Sequence, residues 1–295
     1  MERIIKGIIC ANITPLTNEK KVDKKSLQSL CRYLIDSGIN GLFPLGTNGE
    51  GILLSVSERK TTAAIVVSEV GRRIPVVIQC AASSIEDTVE LAKHAASIGA
   101  DGIGIMAPYF FAQDEKAIFD YYIQTANSVP DLPAYIYNIP TYTNNDIMPE
   151  LADKIRKAAP NIVGIKYSFP NLLRLGEYLK LDSSFDALIG CDRLVLPALA
   201  LGAAGTVSGP AAIFPELFSG LWQAYLRKDF DTAREYQLKL FEVDKDLSVL
   251  PGIPLLKRYL KETGVIASDA CRTPFRSLTM EETKTLMKIV EKYQG

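Results

Sequence analysis

Short apolar runs alternate along the chain with longer segments of helical period. The runs are GIICANITP from residue 7, GLFPLG from 41, PVVIQCA from 75, GIGIMAP from 102, PAYIYNIP from 133, IVGIKYS from 162, DALIGC from 186 and GTVSG from 205, eight in all. Runs apolar on both faces belong to strands covered on both sides, the pattern of a parallel sheet. Between them lie segments such as DKKSLQSLCRYLIDSG, SVSERKTTAAIVVSEVG with a Ser55/Glu58 capping box, and SSIEDTVELAKHAASIGA, which ends on a glycine stop. Each is long enough to be a crossover helix. Eight strand-helix units predict an α/β fold, a closed (β/α)8 barrel of the TIM type. An open doubly wound sheet is the alternative, but no GxGxxG follows the first strand. After Gly209 the chain has no further convincing strand. FPELFSGLWQAYLRKDF completes the barrel, and DTAREYQLKLFEV, GIPLLKRYLKETG and TMEETKTLMKIVEKY read as added helices. The expected organisation is one domain, with the barrel over 1–230 and a helical extension over 231–295.

Composition narrows the class without changing the fold. A length of 295 residues suits one α/β barrel, and 47% apolar residues supply a sizeable core. Thirty-three basic residues against thirty-four acidic leave no positive surplus for phosphate backbones or anionic lipid, so neither nucleic acid nor a membrane surface is an expected partner. No run reaches the length of a membrane span, and MERIIKGIICANITP lacks a long apolar core with a cleavage site, so a cytoplasmic location is expected. Cys10, Cys31, Cys80, Cys191 and Cys271 are odd in number and widely spaced, which argues against a disulfide framework and against a zinc site. The single histidine, His94, lies in a helical segment, so a histidine-based triad is excluded.

Candidate chemistry begins at Lys166, which closes an apolar run although lysine is among the residues least often buried. In a barrel of this type chemistry sits at the carboxyl ends of the strands, where Lys166 falls. Alternation along a strand puts Ile162, Gly164 and Lys166 on one face, with Gly164 leaving room beneath the lysine stem. If that face is the interior, burial favours the neutral amine that a Schiff-base lysine requires. A lysine snorkelling from a strand end, paired with a carboxylate, is the alternative. Tyr137 ends the preceding strand, and neighbouring strands run about 4.8 Å apart, so phenol and amine can meet over the barrel mouth. A tyrosine there can carry protons, or be a core aromatic with a bonded hydroxyl. The second run leads into GTNGEG, where glycines open the backbone to a ligand and Thr47 and Asn48 add donors suited to a carboxylate.

GTNGE at 46–50, YNIP at 137–140 and GIKYS at 164–168, with TP at 14–15 and GCD at 190–192, together resemble the dihydrodipicolinate synthase and N-acetylneuraminate lyase family, in order from about residue 5 to 290. The resemblance implies a (β/α)8 barrel, a homotetramer, and a Schiff base between the lysine and pyruvate or another 2-oxo acid, followed by aldol addition or cleavage. It implies Lys166 as the imine-forming nucleophile, Tyr137 as the proton shuttle, and Thr47 and Asn48 as donors to the pyruvyl carboxylate. The covalent imine replaces any metal or cofactor, and none is expected.

Two departures bear on the substrate. Dihydrodipicolinate-forming synthases usually carry an arginine after the YN tyrosine that grips a carboxylate; here the matching residue is Tyr142, which cannot make a bidentate contact. They also use a tyrosine from a neighbouring subunit in a PYY motif; here APYFF puts Phe110 there and leaves Tyr109 as the remaining candidate. YNxPTxTxxDI is closer to the 2-keto-3-deoxy sugar acid aldolases. Sialic acid lyases share YNIP and often have Ser or Thr where Ser168 stands. By the same resemblance Asp192 and the carbonyl of Gly190 are candidates for binding sugar hydroxyls, with an N-cap as the alternative role of Asp192. Ser208, at the end of GTVSG, is a further candidate for a polyol contact. The expected activity is cleavage of a 2-oxo-3-deoxy sugar acid such as 2-keto-3-deoxygluconate to pyruvate and an aldehyde. N-acetylneuraminate lyase, dihydrodipicolinate synthase, 4-hydroxy-2-oxoglutarate aldolase and a non-catalytic 2-oxo acid sensor are the alternatives.

Overall fold

Strand β1 (Gly7–Cys10) pairs in parallel with β2 (Gly41–Leu42) on one side and with β8 (Gly205–Ser208) on the other. From β8 the ladder runs in reverse chain order through β7 (Asp186–Ile189), β6 (Ile162–Tyr167), β5 (Ala134–Asn138) and β4 (Gly102–Met106) to β3 (Val77–Gln79). A parallel bridge between Leu42 and Val76 joins β2 to β3, and the Leu42 N–H donates to the Pro75 carbonyl at 2.9 Å. The eight strands therefore form the (β/α)8 barrel that the alternating pattern predicts. This computed structural model describes residues 5–294; the outermost residues of the expected barrel and extension, 1–4 and 295, lie outside the described residues.

The crossover helices start and stop where their sequences provide caps. Asp23, Ser84, Asp114 and Asn171 each accept a backbone N–H at the start of α1 (Lys24–Asp36), α3 (Ile85–Ser97), α4 (Glu115–Asn127) and α7 (Leu172–Leu179). Helix α2 (Val56–Val70) has the complete Ser55/Glu58 capping box and ends on Gly71 in the left-handed region. A short α5 (Pro140–Thr143) and α6 (Pro149–Ala158) share the connection from β5 to β6, and α8 (Val195–Leu201) follows β7 after a 3-10 turn at Asp192–Leu194. Helix α9 (Pro215–Leu226) completes the barrel, and α10 (Phe230–Leu247), α11 (Gly252–Glu262) and α12 (Met280–Gln294) follow it. No helix among the described residues is long and apolar enough to cross a membrane.

The core has two shells. Ile9, Phe43, Val77, Met106, Tyr135 and Tyr137 fill the barrel interior, while Ile8, Ile103, Ile136, Ile165 and Tyr167 point outward beneath the helices. Alternation of period two produces this division on every strand. It breaks once, where the β5–β6 register shifts between Ala134 and Tyr135, so that Ile162 packs in the outer shell and Val163 in the inner one. The single face expected for Ile162, Gly164 and Lys166 is thus shared only by the last two. Closure between β1 and β8 depends on close backbone approach: a methyl added to Gly205 would lie 2.0 Å from the Gly7 carbonyl oxygen. Gly205→Ala should therefore cost about 1–3 kcal/mol or more and lower the melting temperature by several degrees. Gly252→Ala, whose methyl meets open space, should leave it unchanged in the same circular dichroism melts.

Candidate active site

Lys166 stands at the carboxyl end of β6 and is only 3% exposed, so its stem does not carry the amine out to bulk water as snorkelling would. Its Nζ lies 3.7 Å from the centroid of the Tyr137 ring and 4.6 Å from that of Phe43. The two rings meet edge to face with centroids 5.8 Å apart. Parallel pairing sets Tyr137 opposite Lys166, so their meeting follows from strand register alone. The space at Gly164 has another use than the one expected. A methyl there would lie 2.5 Å from the Asp186 carbonyl oxygen and 2.9 Å from the Tyr135 ring, so the glycine admits strand β7 and Tyr135 rather than the lysine stem.

The Tyr137 hydroxyl lies 3.1 Å from Oγ1 of Thr47, and either group can donate. Thr47 belongs to a loop over 45–51 whose shape is unusual: Leu45 and Glu50 both sit in the left-handed region, at φ 65° and 53°. The Thr14 hydroxyl donates to the Gly49 carbonyl at 2.7 Å. The buried Glu50 carboxylate pairs with Nζ of Lys257 on α11 and accepts the Arg272 backbone N–H at 2.7 Å. Asn48 leans toward the end of β8, where a methyl on Gly209 would lie 2.3 Å from its Nδ2.

Ser168 and Gly190 are in contact, since a methyl on Gly190 would lie 2.1 Å from the Ser168 Oγ. Asp192 lies beside the Ser208 hydroxyl. It opens the 3-10 turn but makes no side-chain cap there, nor for α8, so the N-cap role is not what the structure shows. Gln237 on α10 fixes its backbone, donating to the Asp192 carbonyl at 3.0 Å and accepting the Leu196 N–H at 2.7 Å. Burial pushes the Asp192 carboxyl up to about 7; the Ser208 hydroxyl opposes that rise and the Asp244 charge adds to it. Tyr109 is half-buried and packs against the inner shell; burial pushes its phenol up, and Arg59 and Ser83 nearby act the other way.

Several residues at the site escape a reading of the sequence. Phe43, on the second strand run, supplies one of the two faces against the amine. Asn145 pins the loop after β4: its Nδ2 donates to the carbonyls of Pro108 and Phe111, both at 2.8 Å, and its Oδ1 accepts the Gln113 N–H. That loop holds Phe110 at φ 78° with its ring exposed. Lys257 carries a signal that could have been seen, a cation within the apolar stripe Ile253, Leu256 and Leu260 of one helix.

The chain matches the model of the Dihydrodipicolinate synthetase family over residues 4–293. It is 34% identical to an uncharacterized DapA-like lyase of Halobacterium salinarum, over 95% of this chain and 91% of that one. It is 28% identical to a 4-hydroxy-tetrahydrodipicolinate synthase of Methanosphaerula palustris, over 98% of this chain and 100% of the relative. Its fold is similar, at a TM-score of 0.95, 29% identity and 99% coverage of both chains, to the crystal structure of YagE in complex with pyruvate; YagE is a prophage protein of the dihydrodipicolinic acid synthase family from E. coli K12.

The raised Asp192 carboxyl has a consequence for stability. An unfolded aspartate titrates near 3.9, so between about pH 4 and 7 the folded chain keeps a proton that the unfolded chain has lost. The folded state binds more protons there, and stability falls as pH rises through that window. Asp192→Asn, which mimics the protonated group, should remove this fall. Urea unfolding at pH 5 and pH 8 checks it: wild type should lose stability relative to the variant at the higher pH, and parallel behaviour would refute the assignment.

Proposed function

Because the chain belongs to the dihydrodipicolinate synthetase family, whose members are pyruvate-dependent aldolases and lyases, we propose that this class I enzyme cleaves a 2-oxo-3-deoxy sugar acid to pyruvate and an aldehyde. The observation that carries the chemistry is the buried amine of Lys166 against the Tyr137 ring. Lys166 Nζ, as the free base, adds to the C2 carbonyl of the substrate, and loss of water leaves a protonated imine. Tyr137 takes the proton from the C4 hydroxyl, the C3–C4 bond breaks, and its electron pair passes into the imine to give an enamine. The aldehyde leaves, C3 regains a proton, and water hydrolyses the imine to release pyruvate. In synthesis Tyr137 returns the proton. The imine is the electron sink, so this reaction draws on no metal or cofactor. YagE, whose structure contains pyruvate, supports the pyruvyl half of the substrate.

Thr47 and Asn48 hold the pyruvyl carboxylate, Thr47 also linking Tyr137 to the more exposed rim. Ser168, the Gly190 carbonyl, Asp192 and Ser208 meet the substrate hydroxyls. A carboxyl pushed up to about 7 suits that task, because it both donates and accepts near neutrality. Tyr142 carries the choice of substrate: it stands, 68% exposed, where an arginine would grip a second carboxylate. Tyr109 has the weakest claim, its phenol lying near Arg59 and Ser83. The relatives named as 4-hydroxy-tetrahydrodipicolinate synthases favour a second reading, condensation of pyruvate with aspartate semialdehyde.

We further propose that the chain works as a homotetramer. Phe110 and Phe111 after β4, and Leu173 on α7 at 84% exposure, present apolar surface that a second copy would cover. The five free thiols support a cytoplasmic location.

Incubation with pyruvate followed by borohydride should leave a reduced adduct on Lys166 by peptide mass spectrometry; no adduct, or one on another lysine, removes the mechanism. Pyruvate release from a panel of 2-keto-3-deoxy acids and sialic acid should exceed condensation with aspartate semialdehyde, and the opposite order would establish the second reading. Light scattering should give a mass of four chains, which a monomer would contradict.

A further inference from the structure

Among the described residues two lysines are fully or nearly buried, and only Lys166 has a part in the reaction proposed above. Lys257, 0% exposed on α11, pairs with Glu50, itself 2% exposed, and donates a second bond to the Ala270 carbonyl at 2.8 Å. A buried ion pair is a poor source of stability, since apolar residues of the same volume often serve as well or better. What the pair does possess is position. Glu50 lies near the end of the loop that carries Thr47, three residues away, and it holds a left-handed φ that costs a non-glycine residue about 1–3 kcal/mol. The loop's own bonds, Glu50 N–H to the Thr47 carbonyl at 3.1 Å and Gly51 N–H to the Gly46 carbonyl at 3.2 Å, close the turn without fixing where it sits over the barrel. Two tethers from outside do that: the Thr14 hydroxyl on Gly49, and the Glu50 carboxylate held between Lys257 and the Arg272 N–H.

We propose that Glu50 and Lys257 are positioning residues for the reaction, their buried pair setting the loop at the height that keeps the Thr47 hydroxyl within hydrogen-bond reach of the Tyr137 phenol. This rests on the roles given to Thr47 and Tyr137 above. The pair touches no reacting atom and acts through the 3.1 Å contact between the two hydroxyls. A displacement of about 1 Å at such a contact can cost about 100-fold in rate, whereas the barrel beneath has no need of it.

Removing one partner alone would strand a buried charge, so the informative variant is Glu50→Gln with Lys257→Met, which removes both. Its melting temperature should stay within a few degrees of wild type while kcat for pyruvate release falls by about 10- to 100-fold. Thr47→Val, which slows the wild type, should add little in that background, because the contact it removes is already lost. Full additivity of the two changes, or wild-type kcat in the doubly substituted protein, would overturn the proposal. Glu50→Asp, which keeps the charges and shortens their reach, should fold and show the same loss of kcat, and serves if the neutral pair does not fold. A crystal structure of the folded variant reads the position without any turnover: the two hydroxyls should have parted beyond 3.5 Å, and a contact retained at 3.1 Å would sink the idea. Failure of wild type to trap pyruvate on Lys166 would count against the reaction itself, and the crystallographic distance would still decide the role of the pair.

Discussion

Closing eight parallel strands into a ring brings all their carboxyl ends to one mouth, and almost everything about this site follows from that constraint. Tyr137 meets Lys166 because β5 and β6 pair in parallel with those residues opposite. Ser168 meets Gly190 because β7 follows β6, and Ser208 meets Asp192 because β8 follows β7. No long-range search is needed to assemble such a group; the hydrogen-bond ladder assembles it. The ladder tolerates no bulk at its tightest seam, which is why Gly7 and Gly205 face one another where the ends of the chain's strand series meet.

That same constraint explains what the sequence reveals. Lys166 and Tyr137 are legible because a polar tip at the end of an apolar run is conspicuous and strand ends have one destination in a barrel. The capping box at Ser55 is legible because its partners lie three residues apart. The register shift at Ile162 is not, since it depends on how β5 and β6 slide against each other rather than on either sequence. The role of Gly164 is misjudged for a related reason: what fills the space is Tyr135 and the β7 backbone, supplied by other strands. Glu50 and Arg272 are 222 residues apart, and nothing local to either announces the other. Asn145, which pins the loop after β4, reads in the sequence as one more polar residue in a turn.

The two buried lysines show how surroundings decide what a side chain does. Lys257 has a carboxylate and a carbonyl oxygen for company, groups that stabilise an ammonium where it stands. Lys166 lies against the faces of Tyr137 and Phe43. In the roles proposed above, one arrangement fastens a loop and the other supplies the nucleophile. Asp192 belongs between these extremes, a carboxyl at the mouth whose protonation is set by burial and tempered by Ser208.

The fastening of the 45–51 loop by α11 and by Arg272 has a temporal side. A ribosome delivers Thr47, Tyr137 and Lys166 long before it delivers Lys257 and Arg272, so a nascent chain can hold all three and yet lack one of the two outside tethers of the 45–51 loop. On the role proposed for Glu50 and Lys257, competence arrives late, with the docking of a helix that touches no reacting atom.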